Sequence, residues 1–292
     1  MTAVEVAEGI VAFVQEPGTM GLSNATLISE GDTAMVVDAM LLPEMAQPIA
    51  AAAAAAGTRV ETVLHTHHHI DHCGGNSVFD GARIVAHAPT AADIRKVLSE
   101  PELLMRIMPQ YADRFGTLGA RVPEPVVDLD TLPIPRGGQP MLFGPAHSFH
   151  DAVLWFAGQR VLVAADLCSN GVLPLAIHGS IANWADALSR LIALDPEVVI
   201  PGHGPVGSAQ TLRDLREYLV QVNAVAEAAV RTGASVEDAL SQFDPGPTGG
   251  WLEGGRTRQN ITKAIEQARS RAGYIPGLGP VTKERVRQTH VS

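Results

Sequence analysis

The chain has 292 residues, of which 46% are hydrophobic and 18% charged, and a formal net charge of −10. That length and balance suit one large or two ordinary globular domains with a buried core, and they exclude a disordered chain. The acidic surplus argues against nucleic acid as a partner, because a polyanion needs a basic face.

Residues Met1 to Glu5 show neither the basic segment nor the apolar run of a signal peptide. The most apolar early stretch, 49–56, is mostly alanine and too short to cross a bilayer. A cytoplasmic protein with no membrane partner is therefore expected. Cys73 and Cys168 are the only cysteines, and two free thiols are the simplest expectation for them.

Alternating apolar residues predict strands over Ile10–Gln15, Ala25–Ser29 and Ala34–Val37, the last ending at Asp38. The alanine-rich segment from Pro43 to Ala56 predicts a helix that Gly57 stops. A strand over Val60–Leu64 then delivers the chain into a histidine run. Beyond it come a short helix near Asn76–Phe79, a strand over Arg83–Ala86 and a helix from about Pro89. Residues 98–124 break the alternation with apolar residues between prolines, including Met105, Met108 and Tyr111. That pattern predicts a helical insertion, either core or the wall of a pocket.

Strands return at Pro125–Leu129, Met141–Phe143, Ala152–Phe156, Arg160–Ala164 and Val198–Ile200, with a helix over Trp184–Leu194 that Asn183 would cap. From Ser208 the chain reads as helical, with a stop at Gly233 and a further helix over about Arg256–Ala272. Residues 276–292 read as a loose tail. Two successive sets of strands and helices predict a layered α/β protein.

The run His67-His68-His69-Ile70-Asp71-His72 carries the chemistry. On a helix, residues two apart point to nearly opposite sides; in an extended loop they face the same way. Set between a strand and the Gly74-Gly75 turn, His67 and His69 can share one metal, while Asp71 and His72 reach a second after a bend. Three isolated candidates stand beside later strand ends, namely His147, Asp166 and His203. Each is bordered by small residues or proline, as in a tight loop.

The segment Thr66-His67-His68-His69-Ile70-Asp71-His72-Cys73-Gly74-Gly75-Asn76 resembles the signature of the metallo-β-lactamase-fold superfamily, with wording close to glyoxalase II. The resemblance continues in order through His147, Asp166 and His203, covering most of residues 10–206. It implies a four-layer αββα sandwich over 1–207, with a helical C-terminal extension over 208–275 packed on it. It further implies one metal bound by His67, His69 and His147, a second by Asp71, His72 and His203, and Asp166 bridging the two. Two zinc ions suit this donor set, and iron or manganese also fit it.

Two divalent ions bring four positive charges and the two aspartates cancel two, which favours a bound hydroxide at neutral pH. Such a hydroxide would attack a carbonyl, with Asp71 orienting it or shuttling its proton. His68 lies between ligands and points away from them. Asp38, His65 and His150 are expected to support the ligands, and His178 joins Met105, Met108 and Tyr111 as a pocket candidate. Cys73 and Cys168 read as small buried residues.

Among the family's branches, Asp166 argues against true β-lactamases, which usually lack it. His203 sits in Pro-Gly-His-Gly-Pro rather than the later glyoxalase II motif, and the nuclease domain of the RNA-processing branch has no room here. An esterase, lactonase or thioesterase remains, acting on a small-molecule or acyl-carrier-bound substrate that is partly apolar. Two other classes stay open: an iron-dependent oxidoreductase resembling persulfide dioxygenases, and a non-catalytic binding or signalling protein. The helical C-terminal region offers a surface for a homodimer.

Overall fold

Strict alternation of inward and outward side chains builds two sheets, each with two useful faces. The computed structural model describes residues 1–116, 118 and 121–271, with the short paired segments Tyr274–Ile275 and Gly279–Pro280. The first sheet runs in chain order through seven strands: β1 (Thr2–Ala7), β2 (Ile10–Val14), β3 (Ala25–Glu30), β4 (Thr33–Val37), β5 (Arg59–His65), β6 (Arg83–His87) and β7 (Glu124–Val126). Pairings from β1 to β4 are antiparallel, and those from β4 to β7 are parallel. The second sheet has four strands, β8 (Gln139–Phe143), β9 (Asp151–Phe156), β10 (Val161–Ser169) and β11 (Val198–His203), with β10 and β11 parallel.

One parity from each sheet fills the space between them. Ile10, Ala12, Val14, Met35 and Val37 meet Leu154, Phe156, Val161 and Val163 there. The opposite parity of the first sheet, with Phe13, Leu27 and Val36, packs under α1 (Pro43–Ala55) through Ala46, Ile49 and Ala53. On the far side of the second sheet, Val153, Trp155 and Leu162 lie under a helical layer. The result is the four-layer αββα sandwich expected from the sequence.

The remaining helices are α2 (Ile70–Cys73), α3 (Ala88–Leu98), α4 (Pro101–Ile107), α5 (Ala112–Phe115), α6 (Ile181–Ile192), α7 (Ala209–Thr232), α8 (Val236–Ser241) and α9 (Arg256–Arg271). Helix α7 opens with a capping box at Ser208 and Thr211 and ends on left-handed Gly233. The expected end of α9 at Ala272, the tail residues 276–278 and 281–292, and residues 117, 119 and 120 of the insertion lie outside the described residues. None of the described helices is long and apolar enough to cross a membrane.

Three local readings change. The edge strand β1 was not expected; it pairs on one side only and none of its residues is fully buried. The strand expected over Pro125–Leu129 stops at Val126, because Asp128 turns the chain by accepting from the Asp130 N–H. Helix α6 begins three residues before Trp184, because Ser180 rather than Asn183 caps it, accepting from the Asn183 N–H. Trp184 thereby becomes fully buried and donates its indole N–H to Leu167 O at 3.0 Å.

One buried side chain ties the two sheets together beside the site. Asn24 donates to Pro201 O and to Gly204 O, each at 2.8 Å, and its Oδ1 accepts from the Gln15 N–H. Asn24→Ala would strand these groups away from water, at about 1–3 kcal/mol for each orphaned polar group. Denaturant unfolding should show a loss of about that size, with an unchanged dependence on denaturant concentration.

Candidate metal centre

The carboxyl ends of five strands converge on one side of the sandwich. Strand β4 runs into Asp38, which holds a left-handed φ of 63°. Strand β5 runs into His67–His69, and the chain then bends into the single turn α2, which carries Asp71 and His72. The loop after β8 brings His147, β10 contributes Asp166, and β11 ends on His203. Parallel neighbours aim their carboxyl ends the same way, so residues far apart in sequence arrive together.

Asp38 organises the histidine run. Its Oδ1 accepts from the Thr66 N–H at 2.9 Å, and its Oδ2 accepts from Thr66 Oγ1 and from His72 Nδ1, each at 2.8 Å. Thr66 Oγ1 also lies 3.0 Å from His67 Nδ1. His72 and His67 are therefore held by their Nδ1 atoms, leaving Nε2 to face inward. His203 is held in the same way, with Nδ1 3.0 Å from Gly18 O and 3.2 Å from Leu22 O. Ser23 Oγ donates to Asp71 O and fixes the turn beneath its carboxylate.

Asp166 stands where these rings point. Its carboxylate oxygens lie 3.0 Å from His72 Nε2, 3.2 Å from His147 Nε2, 3.5 Å from His203 Nε2 and 3.6 Å from His67 Nε2. Gly202 makes room for it, since a Cβ at that position would fall 1.8 Å from Asp166 Oδ1. Four groups of possible donor atoms, each within a 4.8 Å span, occur among the described residues: His67, His69, His147 and Asp166; Asp71, His72 and His203; Asp38, His67 and His72; and, on the cavity side, His68, His69 and His178. The first two carry the expected ligands. In the first group His69 Nδ1 and His147 Nε2 are 3.0 Å apart.

These residues fit metal ions. His67 Nε2 is buried with no hydrogen-bond partner in the protein, and the buried His72 Nε2 and Asp166 Oδ1 face each other at 3.0 Å without well-aligned hydrogen-bond geometry. A buried polar atom without a partner is costly, and a cation shared by several lone pairs removes that cost. Imidazole and carboxylate donors suit divalent transition metals.

The electrostatics divide the donors. Burial pushes His67 and His69 well below the usual histidine range and His147 down to about 4. Burial opposes ionisation of Asp166, yet His72, His203, His147 and His67 together hold its carboxyl well below the carboxylate range. For Asp38 burial likewise acts upward, and the neighbouring His72 and His65 bring it down. Burial acts against charge on His72 and His203 as well, but Asp166 raises both, with further help from Asp38 at His72 and Asp71 at His203.

The other expected residues divide. His65 Nε2 lies 2.8 Å from Asn76 Oδ1, while its Nδ1 is 3.7 Å from Asp38 Oδ1. His150 does not approach the donors; its ring lies 6.0 Å from that of His87 in a separate recess, because Ser148 and Asp151 turn the chain after His147. Met108 and His178 line a cavity of about 320 Å³ that opens on the centre. Met105 and Tyr111 do not line it. Met105 packs into the apolar cluster under α4, and Tyr111 lies against Gly21 beside Leu41. His68, expected to point away from the ligands, has its ring 4.7 Å from that of His69 and reaches the cavity wall, stacked on Phe149 at 5.6 Å and 8°. Both cysteines are free and buried, and burial pushes their thiols up. Asn24, Ser23, Thr66, Asn76 and Phe149 were not anticipated; only Thr66 and Asn76, inside the motif, carried a signal.

The model of the metallo-beta-lactamase superfamily matches residues 18–203, and the chain belongs to that family. It is 26% identical to a hydroxyacylglutathione hydrolase of Rhodospirillum rubrum over 162 residues, covering 56% of this chain and 55% of the relative. It is 31% identical to the 2,4-dinitroanisole O-demethylase subunit alpha of a Nocardioides species over 189 residues, covering 61% and 52%. The chain thus spans about half the length of these curated relatives. A metallo-beta-lactamase family protein of Thermus thermophilus superposes with a TM-score of 0.66 at 20% identity, over 92% of this chain and 96% of that one, which shows a shared fold.

Metal uptake should be coupled to proton release. In the metal-free protein the raised His72 and His203 keep their protons to higher pH than an ordinary histidine, and the stability they contribute is present below the ordinary histidine value and lost as pH rises through the raised one. Ligation needs neutral rings, so metal binding expels those protons and tightens as pH increases. Calorimetric titration of metal-free protein with zinc, in buffers of different ionisation enthalpy, should report protons released at pH 7. Buffer-independent heats would contradict this assignment.

Proposed function

We propose that this chain is a binuclear metal-dependent hydrolase acting on an ester, thioester or lactone carbonyl of a small, partly apolar acyl substrate, free or carrier-bound. The observation that carries this reading is the placement of both donor groups at one end of a cavity with apolar walls. His67, His69 and His147 would hold one ion, Asp71, His72 and His203 the other, and Asp166 would bridge them. Two divalent ions there, zinc being the best match to the donors, would acidify water and polarise a carbonyl oxygen.

The protein's own residues supply the rest. Asp71 lies on the cavity wall with its Oδ2 3.5 Å from His203 Nε2. From there its carboxylate would orient the attacking water and take its proton. Leu103, Ile107 and Met108 on one wall, and Leu173, Leu175 and Ile177 on the other, would receive the acyl chain and exclude water from it. The name of the Nocardioides relative adds an aryl methyl ether to the substrates worth testing.

A panel of esters of increasing acyl length, acyl thioesters, lactones and an aryl methyl ether tests the reading. Turnover should favour an apolar acyl group, stop with chelator and return with added metal. Asp71→Asn should lower kcat by about 100-fold or more with little change in KM, the size of a lost general base. A metal-loaded protein inert across the panel would overturn the proposal.

The cavity assignment has its own check. Met108→Ala should change the ratio of kcat/KM between long and short acyl esters by about tenfold, the worth of a methylene-scale contact in an apolar pocket. Met105→Ala should leave that ratio unchanged.

A further inference from the structure

The loop after β10 hangs from α9. Arg256 Nη1 donates to Leu173 O at 2.8 Å. Asn260, fully buried, donates to Pro174 O and accepts from the Ala176 N–H, both at 2.9 Å. Gln267 donates to Gly179 O at 2.7 Å and accepts from the Ile181 N–H at 3.2 Å. Positions 256, 260 and 267 are four and seven residues apart, the spacing of a single helix face. One face of α9 therefore satisfies the backbone of the loop along its length.

The loop is also pressed against the turn that carries His147. Ser180 N donates to Ala146 O at 2.8 Å, and a Cβ on Gly179 would fall 1.8 Å from that same oxygen. What this fixed loop presents to the centre is His178, whose Nδ1 lies 3.0 Å from His69 Nε2.

The other nitrogen of His69 decides the direction of that bond. His69 Nδ1 faces His147 Nε2 inside the donor group, so its lone pair belongs to the centre and the ring proton sits on Nε2. His69 thus donates to His178. His68 Nε2 approaches the same His178 Nδ1 at 3.2 Å, but that atom has one in-plane lone pair and the shorter contact is with His69.

We propose that His178 is a positioning residue for His69, held in place by Arg256, Asn260 and Gln267. A helix outside the family-matched segment 18–203 then sets the orientation and tautomer of one donor in the centre. The inference rests on reading His69 as a metal ligand. Hydrogen bonds of this kind to a ligand's second nitrogen fix ring orientation and raise its basicity.

Zinc affinity, measured by competition with a chromophoric chelator, and the visible spectrum of the cobalt-loaded protein test the proposal. His178→Ala should weaken binding of one ion by about 10–100-fold and alter the cobalt spectrum. His178→Asn places an amide oxygen where Nδ1 stood and should recover most of both. Gln267→Ala, at a half-buried position, should shift affinity the same way by less, while the metal-free protein still melts cooperatively.

Wild-type affinity and spectrum in His178→Ala would overturn the proposal, as would an Asn variant no better than the Ala variant. A third equivalent of metal in the wild type, lost in His178→Ala, would make His178 a ligand and overturn it as well. A wild-type protein that takes up no metal would overturn this inference and the hydrolase reading together, whereas two tightly held ions unaffected by His178→Ala would overturn this inference alone.

Discussion

A carboxylate almost shut off from water sits among four imidazoles where two sheets end, and the surrounding structure serves that contact. Asp166 is 7% exposed, and burying its charge alone would cost far more than a folded domain can spare. Its neighbours make burial tolerable in two ways. Without metal, His72 and His203, both raised by Asp166, offset the charge. Metal ions held as proposed would take that role, with the same rings as neutral ligands. One geometry accommodates both states.

That geometry needs rigid suppliers, and the two sheets provide them. Strands β9 and β10 are buried along their whole length, so their ends cannot drift. Asp38 links the end of β4 to Thr66 and His72, holding the histidine run to the neighbouring strand. Asn24 links the first sheet to the turn that carries His203. The C-terminal helices close the outer face of the second sheet, and α9 reaches back to shape the cavity wall. The chemistry and the cavity are thus built from different parts of the chain: the donors from strand ends, the apolar walls from α4 and the loop after β10.

Much of this was legible because the signals were local. Alternation marked most of the sheet strands, and a histidine run between a strand and a Gly-Gly turn marked a non-helical approach for His67–His69, while Ile70–Cys73 folds into one helical turn that the spacing had shown only as a bend. His147, Asp166 and His203 each stood beside a predicted strand, bordered by small residues or proline. What stayed hidden depends on tertiary approach. The face of α4 that meets the cavity cannot be read from an apolar stripe broken by Pro101 and Pro109, so Met108 lines the cavity while Met105 and Tyr111 pack away from it. His150 sits near His147 in sequence, but the turn held by Asp151 sends it to another recess. Asn24 serves the site from a position whose only signal is its own polarity.

The central claim is that the two donor groups act as one binuclear centre joined by Asp166. Metal content per chain, measured on protein purified without added metal and compared with the Asp166→Ala variant, tests it most directly. The account predicts two ions per chain, zinc in the main, with both weakened together in the variant. A single iron per chain, with oxygen consumed on turnover, would contradict it.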